Sequence, residues 1–418
     1  MSGYWLDWLN FLLRFVHVIT AIAWIGASFY FIWLDNSLEQ PPKWKQEKGI
    51  SGDLWAIHGG GFYEVAKYKL NPEAMPQYLH WFKWEAYSTW ISGFLLLSLM
   101  YFFGASTYLI DPQKVAFAPW QAISIALFSL IASWLVYDRL CKSPIAQTPP
   151  ILAAILVLCI GAEAYFFQHI FSDRAAYLLV GASIATCMAF SVWRVIMPSQ
   201  TALVAAVRFG KTPDPGYAQA ARLRSVHNNY ATLPVIFLMI SNHYPITYTH
   251  PQAWLLLVCL VLLGMWVRHF FNLRHRGQVR PKILISGAVL FLLIAWWFKP
   301  VPPNPIPPVT PTSAAQAQPL AETAPTGLML PTEVTTAVPP RAVAILHERC
   351  ATCHSATPTD AMFNVAPAGV MLDTEAQMKQ WAERIRANAV LSQNMPFMNK
   401  TQMTDAERQQ VGAWLDGL

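Results

Sequence analysis

The sequence predicts an all-α membrane protein in which about eight transmembrane helices are joined by a proline-rich linker to a small helical domain. Apolar residues make up 55% of the 418 residues and charged residues only 12%, a composition typical of membrane proteins. Twelve of the 31 prolines fall between residues 300 and 340, which predicts an extended, semi-rigid linker without its own core. We therefore divide the chain into a membrane domain at 1–299, a linker at 300–340 and a C-terminal domain at 341–418.

Eight apolar runs account for the membrane domain, because about 20 residues are needed to cross roughly 30 Å of hydrocarbon. They lie at residues 9–34, 84–103, 117–137, 150–169, 175–197, 231–242, 252–271 and 283–298. The sixth run is short and must borrow residues from its flanks to cross the bilayer.

Lysine and arginine are distributed unequally between alternate loops. One set of loops carries 17 of them, whereas the other carries only Lys114, Arg174 and Lys299. The positive-inside rule places the basic set in the cytoplasm, so both termini and the C-terminal domain face outwards. The net charge of +6 therefore reflects loop charges beside a lipid bilayer, and no nucleic-acid partner is expected.

Two spans carry ionisable side chains at depth in the expected hydrocarbon layer. His17 lies eight residues into the first span, or about 12 Å at 1.5 Å per residue, so its ring needs a partner. It is either a hydrogen-bonded structural histidine or a metal ligand. Arg14 and Glu163 lie at similar depths, where charges usually pair or serve a function. The two residues pair with each other, or Arg14 extends outward to the membrane surface, or Arg14 binds an anionic group while Glu163 carries protons.

The first cytoplasmic connection, 36–83, is too long to be a simple link. Apolar and polar residues alternate on both sides of three glycines at 59–61, which predicts a hairpin with a glycine turn. The hairpin presents His58 and Glu64 near the membrane surface, and Trp84 begins the second span. Interfacial aromatic residues alone would be ordinary, but a histidine beside a glycine run is less so. We expect this turn to line a site.

A second polar cluster, formed by His227, Asn228, Asn229 and Tyr230, stands where the sixth span meets the cytoplasmic surface. The amino-terminal end of a helix favours anions, although asparagine there also serves simply as a helix cap. Two asparagines between histidine and tyrosine exceed what a cap requires. We expect these residues to meet in one inner pocket.

The C-terminal domain contains Cys-Ala-Thr-Cys-His, which is the attachment signature of a c-type haem. Cys350 and Cys353 would form the thioether bonds to the porphyrin, and His354 would bind the iron. Covalent attachment of this kind occurs on the outer face of a bacterial inner membrane. The motif and the loop charges therefore agree on a multi-pass inner-membrane protein with a periplasmic C-terminal domain.

Three helices are predicted around this motif, with the sequences AVAILHER, TEAQMKQWAERIRANA and TDAERQQVGAWLDGL. A methionine-containing loop, QNMPFMNKTQMT, separates the last two. Thioether sulfur raises the reduction potential of a haem iron. We expect Met395 to be the second axial ligand, in preference to Met398 or Met403.

The chain resembles a known family in three stretches of the membrane domain and in its tail. The stretches FVHVITAIAWIGASFYFIWLDNSL, GDLWAIHGGGFYEVAKYKL and HNNYATLPVIFLMISNHYP look like the N-terminal domain of the bacterial membrane-bound urate oxidase. Members of that family join an eight-span body to a periplasmic cytochrome c. The C-terminal domain is similar to class I bacterial cytochromes c.

The resemblance implies oxidation of urate to 5-hydroxyisourate, with electrons passed to haem c and on to a cytochrome or terminal oxidase of the respiratory chain, instead of directly to oxygen. Urate is a planar anion, so its site needs a cation, amide groups and aromatic faces. We expect the substrate-binding residues to be Arg194, Arg222, Arg224, Asn228, Asn229 and Trp84. The expected catalytic residues, which include acceptors for the released protons, are His58, Glu64, His227 and Tyr230.

An inner urate site would lie most of the membrane thickness away from a periplasmic haem. We therefore expect an intermediate haem b in the bundle, with His17 as an iron ligand and Arg14 neutralising a propionate. No second histidine lies at a matching depth in the sequence. A site open to the outer face would remove the need for this haem.

Two other functions remain open from the sequence. A quinol- or porphyrinogen-type oxidoreductase would use the same cytochrome tail, and would have a lateral apolar opening without an anion pocket. A membrane-anchored cytochrome c without enzymatic activity would use its spans only for anchoring and docking. Polar clusters at the inner ends of the spans argue against the second of these.

Overall fold

The computed structural model describes residues 3–70, 72, 75–111, 114–299, 340–360, 366–391, 395–396 and 399–418. The chain forms two compact units, Met1–Lys299 and Pro300–Leu418. It is mostly helical, with 71% helix and 6% strand. The expected linker at 300–340 lies, except for its last residue, outside the described residues, as does Met398.

The first unit is a bundle of helices with one β-hairpin. Its helices are α1 (Gly3–Ser37), α2 (Lys43–Glu47), α3 (Trp84–Leu97), α4 (Pro119–Lys142), α5 (Pro149–Ile170), α6 (Asp173–Ser191), α7 (Met197–Arg208), α8 (Pro215–Ser241), α9 (Ala253–Arg274) and α10 (Lys282–Trp297). Short π-helical segments extend α3 at Ser98–Phe102 and join α6 to α7 at Val192–Ile196.

Several helices are apolar enough for membrane insertion. Among the described residues, five are both long and apolar enough to cross a bilayer: Trp8–Ser37, Pro119–Lys142, Pro149–Ile170, Asp173–Arg208 and Ala253–Arg274. The apolar helix α10 is shorter. The sixth expected span falls, except for its last residue, inside α8, which begins 16 residues before it and thus supplies the flank that the short apolar run lacked.

Helix α6 lies at the centre of the bundle. In the most apolar stretch of the continuous helical segment Asp173–Arg208, which α6 begins, 67% of the residues are buried, against 28% or less in the corresponding stretches of the other four long apolar helices. It packs against α3, α4, α5 and α8, and fully buried residues such as Leu179 and Phe167 fill the core between these helices. The outer helices instead expose large apolar side chains such as Phe128 and Leu158, which suits a surface that faces lipid.

The expected hairpin is present as strands β1 (Ile50–His58) and β2 (Gly61–Tyr68). The two strands are antiparallel and are joined by Gly59 and Gly60, both with positive φ, as a tight two-residue hairpin turn requires. Lys45 is almost fully buried beneath the hairpin, where its Nζ lies 2.6 Å from Asp53 Oδ2 and also bonds Glu64. This buried ion pair holds α2 against the strands.

The second unit contains helices at the three places expected from the sequence, but the second expected helix is divided at Trp381 into two short helices. The helices are α11 (Pro340–Arg349), α12 (Glu375–Gln380), α13 (Ala382–Ile385) and α14 (Asp405–Asp416), with a π-helical extension of α13 at Arg386–Leu391. Leu346, Trp381 and Trp414 are buried in their shared core. The Thr404 hydroxyl caps α14 by accepting a hydrogen bond from the Glu407 N–H.

Candidate functional site

The Cys-Ala-Thr-Cys-His motif follows directly on α11 in the second unit. Cys350 is buried, Cys353 is half-buried, and the His354 N–H donates to the Cys350 carbonyl at 2.9 Å. The His354 ring lies with Nδ1 3.0 Å from the Val370 carbonyl oxygen. Since a carbonyl only accepts, Nδ1 carries the proton and Nε2 keeps its lone pair for a metal. Burial lowers the pKa of His354, which favours this neutral ring.

Met395 is half-buried against the core of the same unit, and its carbonyl oxygen accepts a 2.6 Å hydrogen bond from Arg408. Met403, by contrast, is fully buried in the core. Trp381 Nε1 is a buried donor without a hydrogen-bond partner among the described residues. Two thiols, a histidine nitrogen with a free lone pair and a thioether sulfur make up the donor set that a c-type haem takes.

A cavity of about 530 Å³ lies in the first unit between α1, α3, α6 and α8. Most of its lining is aliphatic and aromatic, with Trp90 and Phe94 among the walls. The polar side chains that line it include Arg14, His17, Arg174, Asn242 and His243. This volume falls in the usual range for small-molecule and cofactor sites.

His17 faces this cavity with one ring nitrogen already engaged. Nδ1 lies 3.1 Å from the Thr89 carbonyl oxygen and 3.0 Å from Ser92 Oγ, and the structure shows no hydrogen bond to Nε2 from the described residues. The arrangement matches that of His354, because a carbonyl fixes the proton on Nδ1 and leaves Nε2 available to a metal.

Two arginines line the same cavity without a carboxylate partner. Arg14 Nη2 contacts Met100 Sδ, and Arg174 Nε donates to Asn242 Oδ1 at 2.9 Å. Neither arginine forms an ion pair within the part of the chain that the structure describes. The pairing of Arg14 with Glu163, which the sequence left open, is not made, because Glu163 bonds to serines on other helices. Two positive charges in a largely apolar cavity are costly unless they are paired, so the cavity favours an anionic ligand.

The residues expected in one inner pocket fall into two separate sets. In the first, between α4 and α8, His227 Nδ1 lies 3.0 Å from the Tyr137 hydroxyl. Arg224 is almost fully buried, bonds Asp138 Oδ1 at 2.7 Å and lies over the Tyr137 ring, 4.6 Å from its centroid. Arg224 is therefore already neutralised by the protein itself.

In the second set, between α8 and α9, Asn229 Oδ1 accepts hydrogen bonds from Arg268 Nε and from Asn272 Nδ2, both at 3.0 Å. Tyr230, the next residue, bonds His269 Nδ1 at 2.7 Å. Asn229 Nδ2, Arg268 Nη2 and Asn272 Oδ1 are buried and have no partner among the described residues. Two donors and one acceptor are thus left unsatisfied.

The other expected site residues are not gathered with these sets. Asn228 is buried and donates to the Met188 carbonyl at 3.1 Å, which is a helix-to-helix contact. Glu64 is bound to Lys45 in the hairpin. The remaining four are exposed and lie apart from the cavity: His58, Trp84, Arg194 and Arg222.

The comparison with protein families bears on the first unit. The model of the family described as "Urate oxidase N-terminal" matches residues 3–299. The chain belongs to the urate oxidase N-terminal family. Searches of curated proteins and of solved structures each returned no match.

Sequence reasoning missed three side chains of this urate oxidase N-terminal domain that the structure brings to the candidate sites. Arg174 was counted only as a loop charge, although it lines the cavity. Arg268 and Asn272 were overlooked, and Arg268 lies inside the seventh apolar run. The rule that singled out Arg14 and Glu163, a charge within a span, applies equally to Arg268. Asn272 lies four residues later, on the same helix face.

Proposed function

We propose that the protein is a membrane-bound enzyme that oxidises urate to 5-hydroxyisourate and delivers the electrons to a covalently bound haem c. Urate takes one oxygen atom from water and gives up two electrons and two protons. The family match over residues 3–299 carries the proposal, since it points to urate-related oxidation. A haem bound at the attachment motif of the second unit would be an electron acceptor other than oxygen.

The residues of the second unit support the electron-accepting role. Cys350 and Cys353 would hold the haem, while His354 and Met395 would bind its iron. A bound c-type haem accepts and releases one electron at a time. A cytochrome or terminal oxidase in the same membrane system would then take the electrons.

The cavity of the first unit supports a second, non-covalent haem b. His17 presents a free Nε2, and Arg14 and Arg174 offer two positive charges for the two propionates of such a group. The sequence suggested one arginine for this role, and the structure supplies a second. His243 also lines the cavity, although no contact fixes it as an iron ligand.

The set around Asn229, in the middle of α8 on the side that faces α9, supports urate recognition. A guanidinium group only donates, so Asn229 must turn its carbonyl oxygen to Arg268, which leaves Nδ2 as a donor. Asn272 donates its amide and keeps its oxygen as an acceptor. A cation, an amide donor and an acceptor match the charge, carbonyl and ring N–H groups of urate. Since these atoms are buried, urate reaches them only after neighbouring side chains move.

The apolar helices are compatible with membrane insertion, and we propose the topology indicated by the loop charges. Eight spans with both termini outside would place the second unit in the periplasm of a bacterial inner membrane. Haem attachment through Cys350 and Cys353 requires that side of the membrane.

Turnover of urate with a soluble cytochrome as the sole electron acceptor tests the function. Purified wild-type protein should convert urate anaerobically and reduce about two equivalents of the one-electron acceptor per urate, whereas His354→Ala should lose this activity. Normal urate oxidation by His354→Ala with oxygen alone would refute the electron-transfer role. Reduction of the acceptor by a quinol but not by urate would favour the alternative oxidoreductase.

A further inference from the structure

Glu163 lies on α5 inside an apolar bundle and is held by two serines. Glu163 Oε1 accepts hydrogen bonds from Ser133 Oγ on α4 at 3.0 Å and from Ser183 Oγ on α6 at 2.5 Å. No lysine or arginine forms an ion pair with it in the described part of the chain. A carboxyl group placed in a membrane span without a cation is costly, so its presence indicates a function.

Polar side chains continue from Glu163 towards one end of the bundle on both neighbouring helices. On α4 and α6 they recur at every fourth residue, a spacing that keeps them on one helix face. They are Ser133, Tyr137 and Cys141 on α4, and Ser183, Cys187 and Ser191 on α6. On α4 this stripe extends about 12 Å, because eight residues rise 1.5 Å each.

The stripe ends at a histidine and an ion pair near the surface. Tyr137 Oη lies 3.0 Å from His227 Nδ1, and Cys141 Sγ lies 3.8 Å from the same nitrogen. Asp138, one residue after Tyr137, bonds both the buried Arg224 and the exposed Lys142. Side chains able to exchange protons therefore extend from the middle of the bundle to its surface.

The side chains of this column suit proton transfer. Hydroxyl, carboxyl and imidazole groups both donate and accept hydrogen bonds, as a relay requires, whereas arginine and lysine only donate. Chains of carboxylate and histidine inside membrane spans are typical of proton relays. A lipid anchor would have no reason to place such groups on two facing helices.

We propose that Glu163, the α4 and α6 stripe and His227 form a proton pathway between the middle of the bundle and the end of α4 that carries Asp138. The inference rests on the proposed function, in which each urate releases two protons while two electrons leave to ferric haem. The pathway carries those protons to the Asp138 end. Besides Glu163, Tyr137 and His227, the titratable groups of the pathway are Cys141 and Cys187 of the stripe, and Cys159 on α5 lies near Glu163. Arg224 and Asp138 are the charged pair at its end.

Stopped-flow reduction of haem c by urate, measured over a range of pH in the full-length holoprotein, tests the pathway. Glu163→Gln and Tyr137→Phe should slow the reduction at least about tenfold and change its pH profile, because both remove a proton-carrying group. Glu163→Asp should restore part of the rate. Ser129→Ala is the matched control, since Ser129 lies one turn before Ser133 and donates its hydroxyl hydrogen bond within its own helix, to the Ile125 carbonyl.

The control should remain within about twofold of the wild type in rate. Reduction with an unchanged pH profile and rate in both Glu163→Gln and Tyr137→Phe would overturn the pathway. Unchanged reduction of haem c by dithionite in all variants shows that the haem itself is intact.

A second readout does not depend on urate. The protonated Glu163 carboxyl group gives an infrared band that is identified by its loss in Glu163→Gln. The rate at which this band shifts in ²H₂O measures exchange of the carboxyl proton. Exchange should be rapid in the wild type and at least about tenfold slower in Tyr137→Phe. Equal exchange rates, or no band that depends on Glu163 at any pH, would overturn the pathway. If wild-type haem c is not reduced by urate, the proposed function fails, and the exchange rates still decide the pathway.

Discussion

Gly93 sets the position of the His17 ring, so Gly93→Ala should displace it. An alanine Cβ at residue 93 would lie 2.8 Å from His17 Cε1 and 3.3 Å from Nδ1. Ordinary contact begins at 3.4 Å, so the ring must retreat by about 0.6 Å. The hydrogen bonds from Nδ1 to Thr89 and Ser92, now 3.1 and 3.0 Å, would lengthen beyond useful range.

The energetic consequence follows from two opposing effects. Alanine stabilises a helix by about 0.8–1.0 kcal/mol relative to glycine, whereas overpacking costs about 1–3 kcal/mol. Gly26→Ala on α1 is the matched control, because Gly26 is helical and, apart from its own turn of helix, no atom of the described residues lies within 4 Å of the position that an alanine Cβ would take there. Since both variants gain the same helix propensity, their difference isolates the clash at about 1–3 kcal/mol.

Thermal inactivation in detergent and the b-haem absorption of the reduced protein measure the two expected effects. Gly93→Ala should be less stable than Gly26→Ala and should lose most of its non-covalent haem, while haem c is retained. Equal stability and equal b-haem content in the two variants would refute the role assigned to His17.

Two further predictions concern charged residues. Arg224→Ala should destabilise the protein by about 1–3 kcal/mol, because it removes a buried guanidinium group and leaves Asp138 paired with the exposed Lys142 alone among the described residues. Arg222→Ala on the exposed face should stay within about 0.5 kcal/mol of the wild type, and equal thermal stability of the two variants would contradict the structural role of Arg224. Hydrogen bonds from the Thr404 N–H and then from Arg349 lower the pKa of Glu407. Its contribution to stability is therefore present above the unfolded pKa of about 4.3 and is lost as the pH falls through the folded value. Denaturant titrations followed by haem c absorption should show that Glu407→Gln loses less free energy of unfolding at acid pH than the wild type does. Equal losses at acid pH in the two proteins would contradict this.

The local features of the chain could be predicted from sequence because short-range chemistry determines them. The glycines at 59–61 allow the positive φ of the hairpin turn, and Thr404 with Glu407 forms a capping box. The helices flanking the haem motif likewise follow from apolar spacing. None of these features depends on which distant helices become neighbours.

The lateral arrangement of the spans could not be predicted in the same way. Arg14 and Glu163 lie at similar depths, but α1 packs against α3 and α8, whereas α5 packs against α6 and α9. Depth follows from position in a span, while neighbours follow from the packing of whole helices. The contact between Asn229 and Arg268 requires the pairing of α8 with α9, which no single span specifies.

The division of the expected inner pocket has a simpler cause. His227 and Asn229 are two residues apart on α8, and an α-helix turns about 100° per residue. They therefore project about 200° apart and meet different helices, His227 facing α4 and Asn229 facing α9. Helical spacing alone was sufficient to separate them.

An anaerobic reduced-minus-oxidised spectrum with urate as the only reductant, combined with a pyridine haemochrome count, tests the central claim most directly. We expect urate to reduce haem c, and we expect the purified protein to contain one covalent c-type haem and one non-covalent b-type haem. Reduction with haem c alone would contradict the role of His17. Absence of any reduction by urate, in protein whose haem c is reduced by dithionite, would contradict the proposed function.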